Sequence, residues 1–335
     1  MKIALLTPTF SPFSGIDRLV EIQTKRFLKE GHAVTIYALK SSMKVKGAKI
    51  VEIGMPSTSF AERLYRLLMF LDRKKIEKYA KEISRSDMVV SHLYPMNLIA
   101  KRAKEMNPKL TYVYNHAGVG ITDAYTLLEK AYLRVFNVLN NRSMKTCDEA
   151  VSISKFLADE LEEETGISSR VEYIPVDAKR FNIKARGERI RKNYKFGKSK
   201  VLLYIGRVSP HKGIHLLIEA YKKVKERVPN VKLAIIGKPT FPDYSERLKQ
   251  MADKGVLFAG FIDDKELPEW YAACDVYTTC SLWEGFDMPI TEANACGKPA
   301  VAFDVGAHKE VLKTGKLVPE GDTDAFADAV VRLLK

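Results

Sequence analysis

Short apolar runs punctuate the chain, and the gaps between them leave room for a helix. In the first half, Ile3 to Thr7, Val34 to Leu39, Met88 to His92 and Leu110 to Asn115 read as strands. In the second half, Val201 to Ile205, Val231 to Ile236, Asp275 to Thr279 and Pro299 to Phe303 do the same. Runs of this kind suit strands buried inside a sheet. After the first run, Leu19, Val20, Ile22, Phe27 and Leu28 suggest a helix with a loose apolar stripe, ended by Gly31. Strand, loop, helix, strand is the order of a parallel α/β layer. Asp148 to Ser154 is expected to be the last strand of the first half, with a helix following to about Thr165. Lys184 to Lys200, charged and glycine-containing, reads as the link into the second half.

Phe60 to Lys81 has the spacing of one basic amphipathic helix. Leu64, Leu67, Leu68, Leu71 and Ile76 form its apolar side. Arg63, Arg66, Arg73, Lys74, Lys75, Lys78 and Lys81 dominate the rest. Such a helix either packs its stripe on a neighbouring sheet or lies in an anionic membrane interface. Both readings stay open on the sequence.

A chain of 335 residues is long enough for two cores, so two domains are expected, residues 1–180 and 181–335. No apolar run approaches the ~18 residues of a membrane span. Met1 to Leu6 is too short for a signal peptide, with Pro8 and Pro12 close behind. Four cysteines without a C-x-x-C pair read as buried free thiols, in keeping with a cytoplasmic protein. The net charge of +14 fits nucleic acid, an anionic membrane surface or an anionic substrate. No nucleic-acid motif accompanies it, so nucleic acid is set aside as a partner.

The chemistry concentrates in Ser281 to Gly297, SLWEGFDMPITEANACG. Apolar, strand-like runs flank it, Pro289 suits the first turn of a helix, and Gly297 suits its end. Glu284 then sits in a loop at a strand's carboxyl end and Glu292 about one turn into the helix. Open α/β sheets bind ligands at this edge. Free N–H groups around Asp287, Met288 and Ile290 would seat a phosphate there. A second cluster lies in Gly206-Arg207-Val208-Ser209-Pro210-His211-Lys212-Gly213, after another strand. A forked Arg207 and a point-charge Lys212 on one glycine-bounded loop suit a diphosphate.

The run Glu-Gly-Phe-x-x-Pro-x-x-Glu-Ala-x-Ala-Cys-Gly-x-Pro resembles the signature of glycosyltransferase family 4. These are retaining enzymes of the GT-B fold that use nucleotide sugars. Gly-Arg-x-x-x-x-Lys-Gly is similar to the family's diphosphate signature, and the two motifs come in the family's order. The resemblance implies an α/β protein of two Rossmann-like domains, their parallel sheets facing a central cleft. The first domain would bind the acceptor and the second the donor. It assigns donor binding to Gly15, Arg207, Lys212, Gly285, Phe286, Asp287, Met288, Pro289, Glu292 and Ile262. Glu284 would bind the sugar hydroxyls, and His116, at a strand's carboxyl end, would hold the donor sugar or orient the acceptor. His92 is a weaker second candidate.

Several departures stand out. Asp287 replaces a residue that is usually small, often glycine. The first loop offers Ser14-Gly15 in place of two glycines. Pro175-Val176-Asp177 is two residues shorter than the family's segment. Family members commonly add a helix crossing back onto the first domain. The sequence ends at Lys335, so altered packing is expected there. Asp322-Thr323-Asp324 precedes a helix and reads as its cap, so no catalytic metal is expected. No cofactor is expected beyond a nucleoside diphosphate sugar as co-substrate. The implied reaction is metal-independent, retaining glycosyl transfer to a glycan or lipid acceptor, in the cytoplasm or peripheral to the inner membrane face through 60–81. A non-catalytic nucleotide-sugar-binding subunit and a nucleotide-sugar epimerase of the same fold stay open as alternatives.

Overall fold

The computed structural model describes residues 1–12, 15–120 and 124–335. Two compact units divide them. One comprises 1–119 and 127–173, and the other 120–126 and 174–335.

Unit 1 runs β1 (Lys2–Phe10), α1 (Gly15–Lys29), β2 (Ala33–Ser41), β3 (Lys49–Glu52), α2 (Ser59–Leu68), α3 (Arg73–Ile83) and β4 (Met88–Ser91). It continues with α4 (Met96–Met106), β5 (Thr111–His116), α5 (Leu127–Met144), β6 (Glu149–Ser152), α6 (Lys155–Thr165) and β7 (Arg170–Val171). All neighbouring strands are parallel, in the order β3-β2-β1-β4-β5-β6-β7. Strand geometry sends successive side chains to opposite faces. Ala4 and Leu6 therefore join one core with Val89 and Ile99, while Ile3 and Leu5 join another with Val20 and Val90. Both faces are covered, which is why Ile3 to Leu6 of β1 are all apolar.

Unit 2 begins with α7 (Glu188–Asn193), β8 (Lys200–Ile205), α8 (Ile214–Arg227), β9 (Val231–Ile236), α9 (Pro242–Met251) and β10 (Val256–Gly260). Then come α10 (Leu267–Ala273), β11 (Val276–Thr279), α11 (Met288–Ala295), β12 (Ala300–Phe303), α12 (His308–Val311), β13 (Gly315–Val318) and α13 (Thr323–Leu334). Its sheet is also all-parallel, in the order β10-β9-β8-β11-β12-β13. In each sheet the order reverses once, between β1 and β4 and between β8 and β11. Loops leaving the carboxyl ends of these strand pairs diverge to opposite faces and open a crevice.

Three expectations need correction. The segment Phe60 to Lys81 is not one helix. α2 gives way to a 3-10 turn over Met69–Leu71, and α3 starts afresh. Asp72 causes the restart: its carboxylate accepts the Lys75 N–H at 3.2 Å and caps α3. Second, the strand at Glu149–Ser152 is followed by a further one, β7, so it is not the last of its half. Third, Lys184 to Lys200 is no plain link, since it contains α7. There Arg191 donates to the carbonyls of Gly197, Ser199 and Ala273, tying the stretch into unit 2. Asp322 does cap α13, accepting from the Ala325 N–H at 2.8 Å.

The carboxyl end of β1 is pinned by two buried groups. The Asp17 carboxylate, in the first turn of α1, accepts from Ser11 N–H and from the hydroxyls of Ser11 and Thr9. Burial pushes its pKa up to about 6, against those hydrogen bonds. His92, just past β4, is fully buried. Its Nδ1 lies 3.0 Å from the Leu6 carbonyl and its Nε2 2.6 Å from the Gln23 amide. Both ring nitrogens are thus used inside unit 1, and His92 is a structural residue.

Burial lowers the His92 pKa from 6.5 to about 4. A base with a depressed folded pKa keeps its stabilisation above its unfolded pKa and loses it as pH falls through the interval. Urea unfolding of the wild type should therefore weaken between pH 7.5 and pH 5. In His92→Gln that loss should be smaller by about 2 kcal/mol, following from the shift in titration. An equal loss in both proteins would show that His92 is not buried in its neutral form.

Candidate active site

The site in unit 2 is built where β8 and β11 end side by side. After β8 the chain makes a 3-10 turn over Pro210–Lys212 and closes on Gly213 at φ +60°. A Cβ on Gly213 would overlap the Cys280 carbonyl oxygen. Only glycine lets this loop lie on the end of β11. The Leu282 N–H then donates to the His211 carbonyl at 2.9 Å and fixes the two loops together.

That contact brings Lys212 to Glu284. Lys212 Nζ donates to Glu284 Oε1 at 2.5 Å, with both side chains largely buried. Burial alone would raise the Glu284 pKa. The charges of Lys212 and His308, with hydrogen bonds from Lys212 and Ser281, outweigh it and hold the pKa below its ordinary value. Glu284 is therefore an ionised, acceptor-only group, suited to hydroxyls. Arg207, on the same loop as Lys212, is exposed. His211 between them is buried, with Nδ1 meeting the Tyr125 hydroxyl at 2.7 Å and the Ser209 hydroxyl at 3.2 Å. Burial, then the charges of Lys212 and Arg207, push its pKa down to about 3, so it adds no charge.

A third segment completes the cluster. Gly306, at φ +51°, packs so closely that a Cβ would overlap the Glu284 carbonyl oxygen. The Ala307 N–H donates to that carbonyl at 3.0 Å. His308 follows, fully buried. Its Nε2 donates to Asp287 Oδ2 at 3.1 Å and its Nδ1 to the Phe303 carbonyl at 2.6 Å. Asp287 is the residue before α11 and has φ +65°.

The structure thus brings Lys212, Glu284, Asp287 and His308 into one buried network. Gly285 and Phe286 form the loop between the two acids, and Met288 and Pro289 open α11. Fewer amides are free there than the sequence suggested. Pro289 has none, and the Ile290 N–H donates to the Asp287 carbonyl at 3.2 Å. Among the described residues the Met288 N–H, in the helix's first turn, has no backbone acceptor and can be offered to a ligand. Glu292 is buried and accepts from the Tyr271 hydroxyl at 2.8 Å. Ile262 lies just beyond β10, half-buried. Trp270 and Tyr271 are both buried, packing α10 rather than offering a stacking face. Glu284, Asp287 and His308 could each offer one ligand atom to an ion, these atoms lying within 4.8 Å of one another. Two cations already sit against the two acids.

In unit 1, His116 ends β5. Its Nδ1 meets the Tyr114 hydroxyl at 3.2 Å, while Nε2 is buried without a partner among the described residues. Burial lowers its pKa to about 4. Gly15 opens α1 with empty space where a Cβ would be, and Ser14 lies outside the described residues.

Sequence reasoning missed His308, His211 with Tyr125, and Asp17. His308 could have been found only by pairing it with Asp287, a residue that departs from the expected small side chain.

Comparison with known proteins agrees with this layout. The family model for glycosyl transferases group 1 matches residues 186–335, and that for glycosyltransferase family 4 matches residues 13–176. A GDP-mannose-dependent α-(1-6)-phosphatidylinositol monomannoside mannosyltransferase of Mycolicibacterium smegmatis is 34% identical over 56% of this chain and 53% of its own. Its Mycobacterium tuberculosis counterpart is 26% identical over 99% of this chain and 89% of its own. Among solved structures, Anabaena HepE in complex with UDP and glucose superposes with a TM-score of 0.82 at 20% identity, covering 100% of this chain and 90% of that one. WaaG, a glycosyltransferase involved in lipopolysaccharide biosynthesis, superposes at 0.77 with 17% identity, covering 99% and 90%. With both halves matched, and with GT-B enzymes as its structural neighbours, the chain belongs to glycosyltransferase family 4.

Proposed function

We propose that the protein moves a hexosyl group from a nucleoside diphosphate sugar to an acceptor hydroxyl, with retention, without a metal, at an anionic membrane surface. The observation that carries the donor half is the pair of cations on one loop, Arg207 exposed and Lys212 anchored by Glu284, beside the α11 N-terminus. The diphosphate lies against Arg207, Lys212 and Met288 N–H, which stabilise the charge that develops as it leaves. Ionised Glu284 accepts from the sugar hydroxyls. His116, neutral and with Nε2 unpartnered among the described residues, offers a hydrogen bond to the acceptor. The acceptor oxygen attacks the anomeric carbon on the face the diphosphate leaves. The carbon–phosphate oxygen bond breaks, the new glycosidic bond forms, and the departing phosphate takes the acceptor's proton. GDP-mannose in the names of the relatives, and UDP in the HepE complex, support a nucleotide-sugar donor.

The acceptor half rests on unit 1. Phe60 is 78% exposed and Leu71 66%, with Leu64, Leu68 and Phe70 exposed between them. Leu127 and Leu128, opening α5, are 84% exposed each. Arg63, Arg73, Lys74 and Lys78 are exposed around the α2 and α3 residues. Lys75 is engaged instead with the Gly54 carbonyl and the Tyr65 hydroxyl. Exposed apolar side chains flanked by cations fit an anionic lipid interface. The phosphatidylinositol mannoside named for the relatives is a lipid acceptor of matching chemistry. Among the described residues no helix is long and apolar enough to cross a membrane.

Thermal unfolding should shift upward with GDP or UDP in metal-free buffer, because a ligand selective for the native state stabilises it. Arg207→Ala should abolish the shift. A protein indifferent to every nucleoside diphosphate would remove the donor reading. Replacing Arg63, Arg73, Lys74 and Lys78 together with Gln should weaken co-sedimentation with phosphatidylglycerol vesicles at least tenfold, on the basis of ~1 kcal/mol per surface cation. Undiminished binding would rule out an electrostatic membrane contact through these residues.

A further inference from the structure

Asp287 is in an unusual place for an aspartate. Its φ of +65° lies in the left-handed region, where a side chain costs about 1 kcal/mol relative to glycine. It stands at the N-cap of α11, where an aspartate ordinarily turns its carboxylate back to an amide of the first turn. Here no side-chain cap bond forms. The carboxylate is drawn to His308 instead. His308 is held from its other side by the Phe303 carbonyl, and through Ala307 its segment is bonded to Glu284.

The protonation state follows from the partners. A backbone carbonyl and a carboxylate both only accept, so both ring nitrogens of His308 must donate. Beside an ionised Asp287, whose own pKa burial and the Glu284 charge push up, the ring is an imidazolium inside the protein. Burial opposes that charge, but Asp287 and Glu284 outweigh it and raise the His308 pKa. The groups facing it are those two acids, with Lys212 paired to Glu284.

We propose that His308 is a positioning residue for the donor diphosphate: it holds the Asp287 carboxylate off the first turn of α11 and cancels its charge, leaving Met288 N–H open to phosphate. The inference rests on the donor reading given above. Without His308, Asp287 becomes a competing anion at the seat of the diphosphate. It can cap α11 in place of the ligand, or repel the ligand. Removing Asp287 as well should lift the block, and glycine suits the backbone at that position.

The test is calorimetric titration of the full chain with UDP and GDP, with uridine and guanosine as phosphate-free probes. His308→Ala should weaken binding of whichever diphosphate binds by at least tenfold and leave its nucleoside unchanged. The double variant His308→Ala/Asp287→Gly should return to within about threefold of wild type. Unchanged diphosphate binding in His308→Ala would overturn the inference. So would equal weakening in the single and double variants, because that is the mark of a packing role. Arg207→Ala separates the two claims. If it abolishes binding while His308→Ala does not, the donor reading stands and the inference alone falls. If wild type binds neither nucleotide, both fall.

Discussion

A lysine and a glutamate, buried against each other, hold the second unit's site together. Taking either charge out of water costs several kcal/mol, and only close pairing offsets it. Lys212 comes from the loop after β8 and Glu284 from the loop after β11. The two loops meet because β8 and β11 are parallel neighbours in the sheet and the Leu282 N–H bonds the His211 carbonyl. Breaking the pair would leave a naked charge in the protein interior. The chain is therefore committed to keeping the loops in register, and the same register sets Arg207, Met288 and the Asp287–His308 pair around one spot. Four charges of alternating sign leave the cluster close to neutral, which lessens the cost of burying so polar a site.

The first unit solves a related problem with less charge. Beside the carboxyl ends of β1 and β4 it buries Asp17, whose burden is shared among Ser11 and Thr9, and a neutral His92. Hydrogen bonds do there what ion pairs do in the second unit. The difference matches the division of labour proposed for the two halves. An anionic leaving group needs cations, and an acceptor hydroxyl needs positioning.

Much of the fold was legible because both sheets are parallel and covered on both faces. Such strands read as near-continuous apolar runs, as Ile3 to Leu6, β2, β8 and β9 all did. Short or partly exposed strands gave weaker signals, and β7, with two residues, gave none. The break inside 60–81 was hidden because Asp72 fits the polar side of a helix as well as it fits a cap. Only its position against Lys75 N–H decides between them. At the site, the glycines and charges of the two loops stood out as patterns. His308 did not, since its partner is 21 residues away and its role depends on a backbone angle that no letter of the sequence declares. Asp17 was equally silent. An acid in a first helical turn has an ordinary explanation in the helix dipole, and its bonds to Ser11 and Thr9 show only in the fold.

The two glycines that join the loops set a limit on how this site can vary. Gly213 rests on the backbone of Cys280, and Gly306 on the backbone of Glu284. Three segments are therefore stacked main chain on main chain, with no side chain between them to absorb a change. An insertion or deletion in any one would shear the other two. Diversification of donor preference in such an architecture has to proceed by exchanging side chains on a fixed frame, or at β10 and Ile262, where the chain runs along a sheet edge free of these contacts. Loop length, the usual currency of functional change in α/β enzymes, is closed to this part of the molecule.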